Sequence, residues 1–359
     1  MPNWIPLNAI ALATSILLSP HTLAQMLFLP DEQDVTSVDW SPDGTRILSS
    51  GFDGTIRLWN AASCESGPFI YIDDPRVPEG EESFRSVRRG ILSIAWSPDG
   101  HYFAAGLRDR TVRLYQLQWD HPRRELFEEL AVFSAEGQLG LRSVAFSPDG
   151  RMIASAGHDG VVRLWEANRN GALIRELKGH SDVVNTVLFS TDASLVFSGG
   201  LDGTIRSWEI TTGEMKSSTT VPGQISTLAL SPDGALITGA VHRYGPSRSE
   251  ILVVRVRDWR ELHTIKSTHP VDSLAISRDG KYVTGAGSGD YEGHVWSLDT
   301  GKWVLTFTSQ SGTPFRGLSY SPDGRYLVAG RQLKTPILIS TATGETIREF
   351  GKCSMPSSH

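Results

Sequence analysis

Only two cysteines, Cys64 and Cys353, occur in 359 residues, so no disulfide framework holds this chain together and stability must come from packing. An excess of positive charge is also missing. Lys and Arg total 34 against 40 acidic residues, a net charge of −6, which argues against a surface built to neutralise phosphates and against a nucleic-acid partner. The apolar stretch from Ala9 to Leu18 falls well short of the ~20 residues that a bilayer helix needs, so no membrane span is expected. Neither HExxH nor CxxC is present and the ten histidines are dispersed, so neither a metal nor any other cofactor is expected. What the chain does have is 39% hydrophobic residues, enough for a core, and 35 glycines with 19 prolines spread along its length. That punctuation indicates many tight turns and hence many short strands.

Residues 1 to 30 carry no charged side chain; within them, Ala9 to Leu18 is followed by Pro20 and then by Thr22-Leu23-Ala24. This order resembles a secretory signal peptide with a small-residue cleavage site, although no Lys or Arg precedes the apolar run. Residues 1–24 are therefore read as a leader, and the expected location is secreted or periplasmic, with the cytoplasm as the alternative.

The turns repeat. Ser-Pro-Asp-Gly occurs at residues 41–44, 97–100, 147–150, 231–234 and 321–324, and weaker copies stand at Ser190-Thr191-Asp192-Ala193 and Ser277-Arg278-Asp279-Gly280. Successive spacings of 56, 50, 43, 41, 46 and 44 residues define seven units, where length alone would suggest two or three domains. Pro presets φ for the turn, Asp bonds its own backbone, and Gly adopts the positive φ that closes a hairpin. Apolar residues flank each copy, such as Val38 and Trp40 before the first and Ile47-Leu48 after it. About ten residues later comes a second turn and a β-branched strand, as in Asp53-Gly54-Thr55-Ile56-Arg57-Leu58-Trp59, Asp159 to Trp165 and Asp202 to Trp208. Outer strands read from Ala172 to Lys178, Lys302 to Thr308 and Glu345 to Phe350. The fold class is all-β: four short antiparallel strands per unit, seven units, each burying its faces only by stacking blade on blade around an axis.

These motifs resemble the WD-repeat family of β-propellers over residues 25–352, leaving 353–359 as a tail. The resemblance implies a seven-bladed β-propeller with a buried structural tetrad of His, Ser or Thr, Asp and Trp in well-formed repeats. Only the fourth repeat supplies all four, at His180, Ser198, Asp202 and Trp208. Repeats one and three keep Ser49, Asp53 and Trp59, and Ser155, Asp159 and Trp165, with Asp31 and Gly137 where histidine would stand. In this family one terminal strand usually comes from the other end of the chain. Here Met26 to Leu29 and Ile347 to Phe350 compete for one outer position, and the C-terminal segment is expected to complete blade seven.

His180, Ser198 and Asp202 also have the side chains of a hydrolase triad. Repeats one and three keep Ser, Asp and Trp without the His, as a structural device can and a catalytic triad cannot, so no catalytic residue is assigned. His158 is read as a turn residue, and Gly285 to Asp290 as a hairpin turn that fits neither GxGxxG nor the P-loop spacing. Cys64 and Cys353 fall in loops on opposite faces, so no internal disulfide is expected.

Function is then sought in the insertions. Residues 73–89 join blades one and two with nearly cancelling charges, and residues 241–250 join the second and third strands of blade five. Both rise on the face where the central channel opens. The expected partner surface is Phe84, Arg85, Arg88, Arg243, Tyr244, Arg248, Tyr291 and Arg316, with Asp290, Phe315 and Arg331 adding to the rim. The expected function is a non-catalytic scaffold, monomeric by itself, that binds a protein or peptide partner. The alternative is an exported propeller enzyme or small-ligand binder acting at the channel mouth.

Overall fold

A computed structural model describes residues 34–63, 66–72, 90–119, 125–134, 140–243, 249–287, 291–309 and 312–351. The leader, the strand expected at 26–29, both cysteines and the insertion 73–89 lie outside these residues. Seven four-stranded antiparallel sheets follow one another along the chain, each built from consecutive strands. The inner strands are Val35–Trp40, Ile91–Trp96, Leu141–Phe146, Val184–Phe189, Gln224–Leu230, Ser273–Ile276 and Phe315–Tyr320. They pack in that order around a central axis, and the seventh packs against the first. The outer strand of blade seven is Thr346–Glu349, so the C-terminal segment completes that blade.

Each hairpin between the inner and second strands is set by the repeated tetrapeptide. In all seven the Ser hydroxyl donates to the Asp carboxylate at 2.5–2.6 Å, and the fourth residue's N–H returns to the Ser carbonyl at 2.8–3.0 Å. Six of the seven end in Gly with φ between 69° and 72°. The exception is Ala193, held at φ 56°, where an L side chain crowds its own backbone.

Side-chain burial follows the stacking. Leu48, Ile56 and Leu58 of blade one share a core with Ile94, Trp96 and Phe103 of blade two, while Val35, Val38 and Trp59 of blade one share another with Val328, Leu338 and Phe350 of blade seven. The apolar cores therefore lie between blades, which is why one blade has nothing to bury itself against when alone.

A relay of hydroxyls reinforces these contacts. The side-chain oxygens of Ser37, Ser93, Ser143, Thr186 and Ser273 each accept a backbone N–H from the next inner strand, at Ile94, Val144, Val187, Leu228 and Leu318, over 3.1–3.4 Å. At the closing seam the equivalent residue is Gly317, where a Cβ would sit only 3.1 Å from the Val38 nitrogen. Other groups fasten that seam. The Trp40 indole N–H donates to the Ser319 carbonyl at 3.1 Å, and the Ser319 hydroxyl donates to Asp39 at 3.2 Å. Asp39 also accepts the Trp96 N–H at 2.9 Å, so one carboxylate ties blades seven, one and two.

Burial pushes the Asp39 carboxyl up to about 6, with the hydrogen bonds from Trp96, Ser319 and Trp40 working in the opposite direction. A raised folded-state value means that the group's contribution to stability is full below its ordinary value of 3.8 and is lost as pH rises through about 6. The melting temperature of Asp39→Asn relative to wild type should therefore rise between pH 4 and pH 7; a difference constant across that range would exclude this role. At the Ala193 turn, Ala193→Gly should stabilise by about 0.5–1 kcal/mol through relief of the left-handed backbone, read by chemical denaturation.

Candidate functional site

Two polar constellations stand out, one inside a blade and one at the axis. Inside blade four, the loop before the inner strand brings His180 to Ser198 on the second strand and to Asp202 in the following turn. His180 Nε2 lies 2.7 Å from Ser198 Oγ, and Nδ1 lies 2.8 Å from Asp202 Oδ2. The Trp208 indole N–H donates to Ser198 Oγ at 2.8 Å. One proton arrangement satisfies every member: indole to hydroxyl, hydroxyl to Nε2, Nδ1–H to carboxylate. Burial pushes the His180 value down, against the opposing pull of Asp202, and so favours this neutral imidazole. Burial pushes the Asp202 carboxyl up, but the Thr204 hydroxyl and His180 outweigh it and hold the value low. The His180 and Asp202 side chains are 0% and 3% exposed and Ser198 is fully buried, so no substrate reaches the hydroxyl. The trio stiffens the blade and has no route to acyl chemistry.

Blades one and three repeat part of the scheme, with Trp59 donating to Ser49 and Trp165 to Ser155, both at 2.8 Å. An arginine four residues after the turn Asp takes up its charge. Arg163 bridges Asp159 at 2.6 Å and Glu176 at 2.9 Å, and Arg113 bridges Asp109 and Glu129 in blade two. In blade one, Arg57 lies in the field of Asp53 and over the Phe69 ring at 5.0 Å.

At the axis, each of six inner strands has a bulge at its second hydrogen-bonding position. The residue skipped by the ladder is Thr36, Leu92, Arg142, Asn185, Ser226 or Arg316, and Asp272 precedes the sixth inner strand at the equivalent place. All seven line one cavity of about 390 Å³, so the bulge re-aims one side chain per blade toward the channel mouth. Phe52 and Leu201, from turns between second and third strands, form part of the same wall.

The mouth is electrostatically lopsided. Arg108 lies over the Phe52 ring at 5.9 Å, and Arg142 Nε donates to His158 Nε2 at 3.1 Å. Burial, reinforced by Arg142 and Arg108, pushes His158 down, which keeps that nitrogen an acceptor. Burial and then Arg108 push the Arg142 value down as well. Neither arginine pairs with a carboxylate among the described residues. Across the mouth, His242 Nε2 lies 3.5 Å from Asp272. Asp34 is raised by burial and lowered by the nearby Arg316.

Three of the eight residues expected at the partner surface are among the described residues. Arg316 lines the mouth, Tyr291 is 53% exposed, and Arg243 is exposed and ion-paired to Glu250 at 2.6 Å. Phe84, Arg85, Arg88, Tyr244, Arg248 and Asp290 lie outside the described residues. Two rim assignments are corrected. Phe315 is fully buried against Phe307, because it is the first inner-strand residue and faces the blade interface. Arg331 is 2% exposed because its guanidinium turns inward to the Thr335 carbonyl and Glu349.

Sequence reasoning missed Arg108, Arg142 and His158 as neighbours, since the packing of blade two on blade three, and not their spacing in the chain, brings them together. It also missed a group in blade six, where His269, Glu292 and His294 offer ligand atoms all within 4.8 Å of one another. A signal existed: His294 stands where Arg57, Arg113, Arg163 and Arg206 follow their turn aspartates.

The pattern described as WD domain, G-beta repeat matches residues 25–60, 83–116, 127–166 and 171–209, corresponding to the first four blades. Those matches coincide with a ring of seven blades that all use the same turns. The chain belongs to the WD-repeat β-propellers. Among its relatives, Protein hir1 of Aspergillus terreus is 30% identical over 94 residues, 26% of this chain and 9% of that protein. WD repeat-containing protein VIP3 of Arabidopsis thaliana is 29% identical over 110 residues, 30% and 32% of the two chains. Cell division cycle 20.1, cofactor of APC complex, also of Arabidopsis thaliana, is 28% identical over 99 residues, 27% and 19%. The matched segments thus span less than a tenth of the first of these proteins and about a third of the second.

Similarity to the fungal hir1 proteins, which are not secreted, corrects the expectation of a secreted or periplasmic location. Among the described residues no helix is long and apolar enough to cross a membrane.

Ser198→Ala in this WD-repeat propeller should lower stability by about 2–4 kcal/mol, because it leaves His180 Nε2 and the Trp208 indole N–H buried without their shared partner. Calorimetry reads this directly, and an unchanged melting temperature would contradict the structural role.

Proposed function

We propose that the protein is a non-catalytic WD-repeat scaffold that presents the face bearing its channel mouth to a protein or peptide partner, with Arg108 and Arg142 receiving an acidic side chain. The observation that carries this reading is the pair of arginines at the mouth, both without a carboxylate partner among the described residues and backed by the neutral His158. Guanidinium groups in that state bind a carboxylate in two-pronged fashion, and Phe52 beside Arg108 adds an aromatic contact. The relatives support the scaffold class: one carries the name of a cofactor of the APC complex. Tyr291, exposed just before the third strand of blade six, supports the same reading as a further aromatic side chain open to a partner.

A catalytic reading would need convergent acid and base at the mouth. Ser226, His242 and Asp272 all line it, but the Ser226 hydroxyl donates to the Val271 carbonyl at 2.7 Å and His242 Nε2 faces the same carbonyl at 2.9 Å. A histidine whose Nε2 carries a proton toward a carbonyl is no base for that serine.

Selection of a random displayed peptide library on the purified protein should enrich sequences containing Asp or Glu. Their affinity should fall at least tenfold in Arg108→Ala/Arg142→Ala at unchanged melting temperature. Enrichment without acidic residues, or affinity indifferent to the double substitution, would overturn the assignment.

A further inference from the structure

Blade six departs from its neighbours in a way that assembles ligand chemistry. Its third strand, Glu292–Ser297, begins Glu-Gly-His, and a period of two places Glu292 and His294 on one face. His294 Nε2 lies 3.8 Å from Glu292 Oε2. The loop before the inner strand brings His269 over the same face, its ring stacked on His294 with centroids 5.4 Å apart and an interplanar angle of 20°. That loop is pinned: the Ser267 hydroxyl donates to the His269 carbonyl at 2.9 Å and accepts its N–H at 3.3 Å.

We propose that His269, Glu292 and His294 bind a zinc ion, with a fourth coordination position open to water or to a partner's side chain. Three facts of geometry support this. The three ligand atoms already lie within 4.8 Å of one another, whereas a tetrahedron with bonds of about 2.0–2.1 Å needs edges of about 3.3 Å. The outer strand supplies an orienting group, since His294 Nδ1 lies 2.9 Å from Thr306 Oγ1, and Thr306 Oγ1 also accepts the Trp303 indole N–H at 3.0 Å. With Nδ1–H donated to Thr306, Nε2 presents its lone pair toward Glu292, the tautomer that a metal requires. Gly293 completes the arrangement: a Cβ there would meet the Phe307 ring at 2.0 Å, so the strand between the two ligands is held against a large aromatic.

The donor set selects the ion. Two imidazoles and one carboxylate suit zinc and its transition-metal neighbours and give no advantage to magnesium or calcium, which take oxygen ligands. The site is independent of the arginines at the channel mouth, so either assignment can fail alone.

The test is zinc titration of the full chain by calorimetry in a Cys64→Ser/Cys353→Ser background, which removes thiolate ligands. One equivalent per chain should bind at pH 7.5. Binding should weaken by at least tenfold in His269→Gln and in Glu292→Gln, two substitutions that leave the strand hydrogen bonds in place. Thr306→Val, which removes no ligand, should weaken it by roughly 10–100-fold through loss of the orienting contact. Cobalt in place of zinc should give visible absorption bands of a four- or five-coordinate ion that vanish in His269→Gln. Binding should also be lost toward pH 5 as the imidazoles protonate. Absence of a stoichiometric zinc equivalent in the parent protein, or one that survives undiminished in His269→Gln, overturns the proposal.

Discussion

Ring closure is the constraint on which the rest of this molecule depends. Each apolar core lies between two blades, so no blade is complete until its neighbour is in place, and the first and seventh must find each other across the whole chain. The five hydroxyl bonds between successive inner strands repeat at nearly constant length. At the last seam a Cβ at Gly317 would crowd the Ser37 and Val38 backbone, and Asp39, Trp40 and Ser319 take over. Phe350, directly after the last outer strand, adds its ring to Trp59 at 5.6 Å. Among the described residues this seam is fastened by side chains from both ends of the ring rather than by an exchanged strand. Burial at that seam accordingly raises the Asp39 carboxyl above its ordinary value.

Closure also creates the site. A bulge at the same place in six inner strands would bend six isolated hairpins to no common purpose. Around an axis it turns one side chain per blade into a ring, and the chemistry of the mouth is set by seven nearly independent choices at those positions. The repeat specifies where these side chains point while leaving what they are unconstrained. This is why Arg142, Asn185, Ser226, Asp272 and Arg316 can stand at equivalent positions without disturbing the fold.

The turns and strands were legible because their signals are local. Ser, Asp and Gly of each tetrapeptide bond within five residues of one another, and the Ser-to-Trp bonds span only ten positions. The bulges were not legible, because an extra residue in a strand is defined by its partner across the ladder and leaves no mark in alternation alone. Arg331 shows a second limit. Its position after a strand suggested a rim, yet the short hairpin through Leu333, at φ 55°, folds it back onto Thr335 and Glu349. An arginine at a strand end is as able to satisfy buried acceptors as to meet a partner, and only the neighbouring outer strand decides.

Variation among the blades is then informative in proportion to how strictly the others agree. Blades one to four place an arginine four residues after the turn aspartate, and three of these make ion pairs with that aspartate. Blade six puts His294 there, with Thr306 across the ladder where blade three has Glu176 opposite Arg163. Losing the arginine would forfeit the ion pair that ties turn to strand in the other blades, so a gain elsewhere is required for the exchange to be neutral. Stacking with His269 is part of that gain. A ring pair alone, however, gives no reason for Glu292 on the same face or for a hydroxyl fixed by an indole behind Nδ1. Those two features orient lone pairs toward a common point, and orientation of lone pairs is what a bound cation uses.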